Sequence, residues 1–178
     1  MPPKTTFSMA DFRAAVVTVS DSCHNGERQD LSGPAVSKLL VAHKFQVTEY
    51  VIVPDQKQII CDHLIQLSEN CDLIVTTGGT GIAPRDVTPE ATREVCHRFI
   101  DGIPELMRAK GLEHTPYAVL SRALCGIRGQ SIILNLPGSP KGAHESLESV
   151  IALISHALNL LRGDTAHPPD FHTRVNRP

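Results

Sequence analysis

The sequence predicts an α/β fold: a single domain with a mostly parallel sheet flanked by helices. Three observations carry that reading. The runs Ala14 to Val19 (AAVVTV), Leu73 to Thr77 (LIVTT) and Ser131 to Leu136 (SIILNL) are apolar on both faces, as strands covered by helices on each side must be. Segments with apolar residues at helical spacing alternate with these runs, which is the pattern of a parallel sheet. Finally, 178 residues with 41% hydrophobic content can bury one substantial core but are short for two.

The first unit is the strand Ala14 to Val19, a polar loop through Asp30, and a helix opened by Ser32-Gly33-Pro34, with Ser32 as cap and Val36, Leu39 and Leu40 as its apolar stripe. The second is a strand from Val47 to Val53, Pro54-Asp55 as turn and cap, and a helix facing inward with Ile60, Leu64 and Leu67. The third strand, Leu73 to Thr77, runs into Gly78-Gly79-Thr80-Gly81, and Thr88-Pro89 starts a helix carrying Val95 and Phe99. Between Asp101 and Gly129 the pattern is less regular, with a short helix around Glu105 to Lys110 and a hairpin near Cys125 to Gln130. After the strand Ser131 to Leu136, the residues Leu147, Val150, Ile151, Ile154, Leu158 and Leu161 recur at helical spacing. The expected organisation is an N-terminal extension over 1–12, a domain over 13–163 and a tail over 164–178.

Lys+Arg of 17 against Asp+Glu of 19 give a net charge of -2, so no global attraction to nucleic acid or to an anionic membrane is expected. Five cysteines without a C-x-x-C pair suit a reducing compartment, and neither a leader nor a membrane span is legible, so the expected location is the cytoplasm.

Chemistry is expected where the strands of a parallel sheet end. Four loops lie there: Ser20-Asp21, Pro54-Asp55, Gly78 through Asp86, and Pro137 through Gly142. Each has a plain structural explanation in turn and cap formation, and it is their coincidence on one edge that points to a site. Gly78-Gly79-Thr80-Gly81 suits a phosphate held by backbone N–H groups, yet it is neither a P-loop nor a dinucleotide fingerprint, since Pro84 stands where the third glycine would be. Pro137-Gly138-Ser139 offers a second such loop, with Lys141 as a nearby cation. Asp21, Asp55 and Asp86 follow strands or the glycine loop, and acids beside bound phosphates commonly hold Mg²⁺. Capping competes with that reading at Asp55, and capping or an ion pair with Arg85 competes at Asp86. The nine histidines are scattered without metal-ligand spacing, and Cys96 and Cys125 read as packing residues.

The segments TVSDS (Thr18 to Ser22), TTGGTGIAPRDVTPEAT (Thr76 to Thr92), LSR..CGIRG (Leu120 to Gly129) and LNLPGSPKG (Leu134 to Gly142) resemble the molybdopterin adenylyltransferase family, over roughly Arg13 to Gly163. That family takes in the Mog protein, the plant adenylyltransferase domain and the gephyrin G domain. The resemblance implies a Rossmann-like molybdopterin-binding fold, a homotrimer, and transfer of adenylyl from Mg·ATP to molybdopterin with release of pyrophosphate. A MoeA-type partner would insert molybdate afterwards. It further implies that Asp55 and Asp86 are the acids needed for turnover, and acids placed beside phosphates are the expected holders of Mg²⁺. Gly78, Gly79, Thr80 and Gly81 would bind ligand phosphate or pterin, and Asp21, Gly138 and Ser139 would lie around the nucleotide; Ser20, Pro137 and Lys141 are nucleotide-site candidates from their place in the strand-end loops. No linker to a second enzyme is apparent, so the chain is similar to the free-standing bacterial form. The competing functions are a molybdopterin-binding protein without transfer, a scaffold built on the same fold, and an NAD-dependent oxidoreductase suggested by fold analogy alone.

Overall fold

Six strands form one mixed sheet in the order β2-β1-β3-β6-β5-β4 in a computed structural model that describes residues 12–164. The strands are β1 (Arg13–Val19), β2 (Gln46–Val53), β3 (Leu73–Thr77), β4 (Arg98–Phe99), β5 (Cys125–Arg128) and β6 (Ser131–Leu136). The helices are α1 (Asp21–His24), α2 (Ser32–Ala42), α3 (Lys57–Ser68), α4 (Thr88–Val95), α5 (Gly102–Gly111) and α6 (Pro140–Leu161), with a 3-10 turn over Pro116–Leu120. β2, β1, β3 and β6 run parallel, and β5 and β4 continue the sheet antiparallel.

Side chains alternate across the strands, and that alternation divides the core in two. Ala14 and Val16 of β1, Leu73 and Val75 of β3 and Leu134 of β6 pack under α2, α5 and α6. Ala15, Val17 and Val19 of β1, Ile74 of β3 and Ile133 of β6 pack under α3 and α4. Strands buried on both faces leave only their ends for chemistry. From β1 the chain moves outward to β2, then returns past β1 to β3, so the loops after β1 and β3 diverge and open a crevice at the carboxyl ends.

Several local expectations change. α2 is capped by Asp30, not Ser32: the Asp30 carboxylate accepts the N–H groups of Ser32 and Gly33 at 3.0 and 3.1 Å. Asp55 does not cap α3, whose N-cap position is Gln56 without a side-chain bond. Phe99 lies in the short strand β4, because α4 ends at Val95 with Cys96 already extended. The hairpin near Cys125 is the β5–β6 pair, turned at Gly129 with φ of 58°. α6 begins at Pro140, well before its first stripe residue Leu147. Phe12 is buried, stacks on Phe45 at 6.0 Å and accepts a backbone bond from Gln46. The rest of the expected extension and residues 165–178 of the expected tail lie outside the described residues. No helix among the described residues is long and apolar enough to cross a membrane.

Candidate active site

The loops after β1, β2, β3 and β6 lock to one another through polar contacts. Asp21 and Asp55 exchange hydrogen bonds: the Asp21 N–H donates to Asp55 Oδ2 at 2.8 Å, and the Asp55 N–H donates to Asp21 Oδ1 at 2.9 Å. Arg85 Nε donates to Asp21 Oδ2 at 2.6 Å. That guanidinium and the Asp55 N–H hold the Asp21 carboxyl below the usual carboxylate range. Burial pushes Asp55 the other way, with the negative charges of Asp21 and Asp86 adding to the effect. Asp86 Oδ2 accepts the Ala83 N–H at 2.8 Å. Asp86 neither caps α4 nor enters an ion pair among the described residues.

The glycine loop is bent over this frame. Gly78 and Gly79 have φ of 100° and 64°, a region that glycine occupies without strain. A Cβ on Gly78 would run into the Val19 carbonyl, and one on Gly79 into Thr88 Oγ1. Thr88 Oγ1 donates to the Gly78 carbonyl at 2.9 Å, and Thr77 Oγ1 donates to the Pro137 carbonyl at 2.7 Å. Arg122 closes the far side. Its Nε donates to the Gly81 carbonyl and its Nη2 to the Asp86 carbonyl, each at 2.6 Å, and its Nη1 pairs with Glu90.

Two cavities flank this loop. One, of about 670 Å³, is walled by Ser20, Asp30, Asp55, Gly78 and neighbouring polar residues. The other, of about 520 Å³, is bounded by Thr80, Gly81, Ile82, Met107, Tyr117 and Leu120, a wall with more apolar character. Gly79, Asp86, Gly138 and Ser139 line both and form the ridge between them. Ser139 also caps α6, accepting the Gly142 N–H at 3.1 Å, so the positive end of a 22-residue helix meets the same ridge.

Comparison with known proteins shows the family. Residues 15–156 match the family described as "Probable molybdopterin binding domain". The chain belongs to that molybdopterin-binding domain family. A protein of Helicobacter pylori named molybdopterin adenylyltransferase is 40% identical over 174 residues, covering 96% of this chain and 99% of its own length. An Escherichia coli protein of the same name is 42% identical over 147 residues, covering 80% of this chain and 75% of its own. The crystal structure of the molybdopterin biosynthesis enzyme MoaB from Thermus thermophilus superposes with a TM-score of 0.81 at 51% identity, covering 85% of this chain and 97% of that one.

Against this family frame, Ser20, Asp55 and Gly78 face the larger cavity, Thr80, Gly81 and Pro137 face the smaller, and Gly79, Asp86, Gly138 and Ser139 face both. Two expected residues lie elsewhere. Asp21 lines neither cavity and instead positions Asp55. The Lys141 side chain is 79% exposed, lies 3.8 Å from Glu145 and also lines neither. Sequence reading gave Arg122, Thr77 and Asp30 no part in the site and Thr88 only the start of a helix. Arg122 stood inside the LSR..CGIRG motif, but its contacts lie 36 and 41 residues away, beyond any local signal. Cys96 and Cys125 are buried and their thiols are pushed up to about 11 and about 12, which leaves them packing residues.

Proposed function

We propose that this chain adenylylates molybdopterin with Mg·ATP, releasing pyrophosphate, as a nucleotidyltransferase of molybdenum cofactor biosynthesis. The supporting observation is the pair of cavities meeting at one ridge, since a two-substrate transfer needs both substrates at one point. The smaller cavity, with Met107, Ile82, Tyr117 and Leu120 in its wall, suits the flat pterin, and the larger, whose carboxylates would meet phosphates through Mg²⁺, suits Mg·ATP. The names of the Helicobacter pylori and Escherichia coli relatives support the same reaction.

An oxygen of the molybdopterin phosphate forms the new bond to the α-phosphorus of ATP as the bond to the β-phosphate bridge breaks, and the electron pair leaves with pyrophosphate. The nucleophile is already anionic, so no strong base is required, and the barrier lies in bringing two anions together. The α6 N-terminus supplies fixed positive potential at the ridge that Gly79 and Gly138 help to form.

Asp55 and Asp86 fit Mg²⁺. Both line the nucleotide cavity, and each commits one oxygen to a backbone N–H and leaves the other without a hydrogen bond among the described residues. Two carboxylates on one cavity wall are the donor set with which Mg²⁺ is commonly held, the rest of its shell coming from substrate phosphates and water. When bound, the ion neutralises phosphate charge as it shifts to the leaving group.

The same reading makes the functional unit a homotrimer in the cytoplasm, built on the domain from the buried Phe12 to Gly163, whose product passes to a molybdate-inserting MoeA-type enzyme. The deciding experiment incubates the protein with molybdopterin, Mg²⁺ and α-labelled ATP. Label on the pterin is the expected result, and pterin binding without label would leave a binding protein in its place.

A further inference from the structure

The nucleotide cavity is rich in acids and poor in cations. Asp30, Asp55 and Asp86 line it, and Arg28 is the one Lys or Arg among its lining residues. Other cations near the site are committed elsewhere: Arg85 to Asp21, Arg122 to Glu90 and two carbonyls, and, in the wall of the smaller cavity, Arg108 to the Ser121 carbonyl and Lys110 to Glu113, while Lys141 lies outside both cavities near Glu145. Arg28 is exposed and has no side-chain partner among the described residues.

The loop that carries Arg28 is held firmly although its surface is open to solvent. The N–H groups of Glu27 and Arg28 both donate to the Ser22 carbonyl, at 2.9 and 3.1 Å, across a turn at Gly26 with φ of 76°. Two residues further on, the Asp30 carboxylate accepts from Thr18 Oγ1 and the Tyr50 hydroxyl, each at 2.5 Å, as well as capping α2. With its backbone fixed at both ends, the loop adds no ordering cost of its own when the guanidinium binds an anion.

Stereochemistry says which anion. In-line displacement puts the leaving group opposite the nucleophile. With the pterin phosphate approaching the ridge from the smaller cavity, pyrophosphate departs into the larger one, toward the loop of Ser22 to Asp30. We propose, resting on the adenylyl-transfer reading above, that Arg28 holds the β- and γ-phosphates of ATP and then the released pyrophosphate. Arg28 thereby makes the site prefer the triphosphate to AMP. Bond making and breaking are those of the transfer itself, and Arg28 exchanges no proton.

The test is calorimetric titration, with Mg²⁺, of wild-type, Arg28→Ala and Arg28→Lys proteins against α,β-methylene-ATP, inorganic pyrophosphate and AMP, with melting temperatures as a check on folding. Arg28→Ala should weaken the first two ligands by about 10-fold or more and leave AMP within about 2-fold, the loss of one charge-assisted contact. Arg28→Lys should recover part of that loss, since it keeps the charge but not the fork. Equal losses for AMP and the triphosphate analogue, or no loss for either, would overturn the role of Arg28 alone. A wild-type protein that binds none of the three would remove the adenylyl-transfer reading together with it.

Discussion

The larger cavity, proposed for the nucleotide, takes its walls from the ends of β1, β2 and β3, whereas the smaller, proposed for the pterin, borrows much of its wall from α5 and the 3-10 turn. On the first side the polar groups satisfy one another: Asp21 with Asp55, Arg85 with Asp21, and Thr88 with the glycine loop. On the second side large apolar groups stay open, with Ile82 and Tyr117 70% and 75% exposed. One wall is preorganised by hydrogen bonds, and the other presents apolar surface to be covered by a ligand. Substitutions on the two sides should therefore fail in different ways.

The largest effect is expected at the two acids, and the geometry now separates them. Asp55→Ala should lower adenylylation by about 10² to 10³-fold, comparable to removing a principal electrostatic stabiliser, and leave molybdopterin affinity near normal because Asp55 faces only the nucleotide cavity. Asp86→Ala should lose as much turnover and also weaken the pterin, since Asp86 lines both cavities. Initial rates and pterin titrations on the same preparations check this, and identical profiles for the two variants would break the division between cavities. The pH profile sharpens it. Asp55 must be ionised to hold a cation, and in the metal-free site burial raises its pKa, so Mg²⁺ affinity should fall on the acid side at a higher pH than for an ordinary carboxylate near about 3.9, and rising Mg²⁺ should push that fall back down.

Next comes the backbone of the two walls. Gly78→Ala forces a Cβ onto the Val19 carbonyl at φ of 100° and should cost about 3 kcal/mol of stability, read as a fall in melting temperature. Tyr117→Ala, at an exposed position on the opposite wall, should change stability by less than about 0.5 kcal/mol while weakening pterin binding several-fold. A stable Gly78→Ala protein would show that the rigid wall can yield.

A smaller effect is a spectroscopic one at Tyr50. Burial, and beside it the Asp30 carboxylate that accepts its O–H, push the Tyr50 phenol up to about 12. A folded-state value above the usual one, near about 10, favours the neutral phenol, so its contribution to stability is complete below about pH 10 and fades as pH rises toward about 12. Absorbance titration in a Tyr117→Phe background, which leaves Tyr50 as the remaining tyrosine of two, should show the delayed transition. A midpoint near about 10 would remove the Tyr50–Asp30 bond from the set that fixes the Arg28 loop.

What the sequence made legible follows from the range of its signals. The doubly apolar runs became β1, β3 and β6 because burial on both faces leaves a mark in every residue of a strand. The edge that carries both cavities was legible because strand ends and their glycine loop are local features, and Asp55, Asp86 and Ser139 all line a cavity there. Caps were less legible: Ser32 and Asp30 are equally good capping types, and only the fold shows that Asp30 reaches the N–H groups. Arg122 and the pterin wall were illegible for a different reason. They depend on a segment without clear periodicity, whose contacts with Gly81 and Asp86 span 41 and 36 residues.

The smallest effect is expected where sequence reading placed a phosphate-binding cation. Lys141 is two residues from Ser139, but α6 starts between them, and successive helical residues point about 100° apart. Ser139 therefore faces both cavities and caps the helix, while Lys141 stands in solvent beside Glu145. An exposed pair one turn apart is worth only about 0.3 to 0.5 kcal/mol. A lysine in the first turn also opposes the helix dipole, which offsets part of even that. Lys141→Ala should accordingly leave nucleotide and pterin affinities within about 2-fold and stability within about 0.5 kcal/mol. Ser139→Ala, by contrast, should lose a cap worth about 1 kcal/mol and weaken both ligands. Titrations of both variants against both ligands read the difference. A 10-fold loss of nucleotide affinity in Lys141→Ala would mean that its side chain swings from Glu145 to the phosphates on binding, and the division of charge between Lys141 and Arg28 would have to be redrawn.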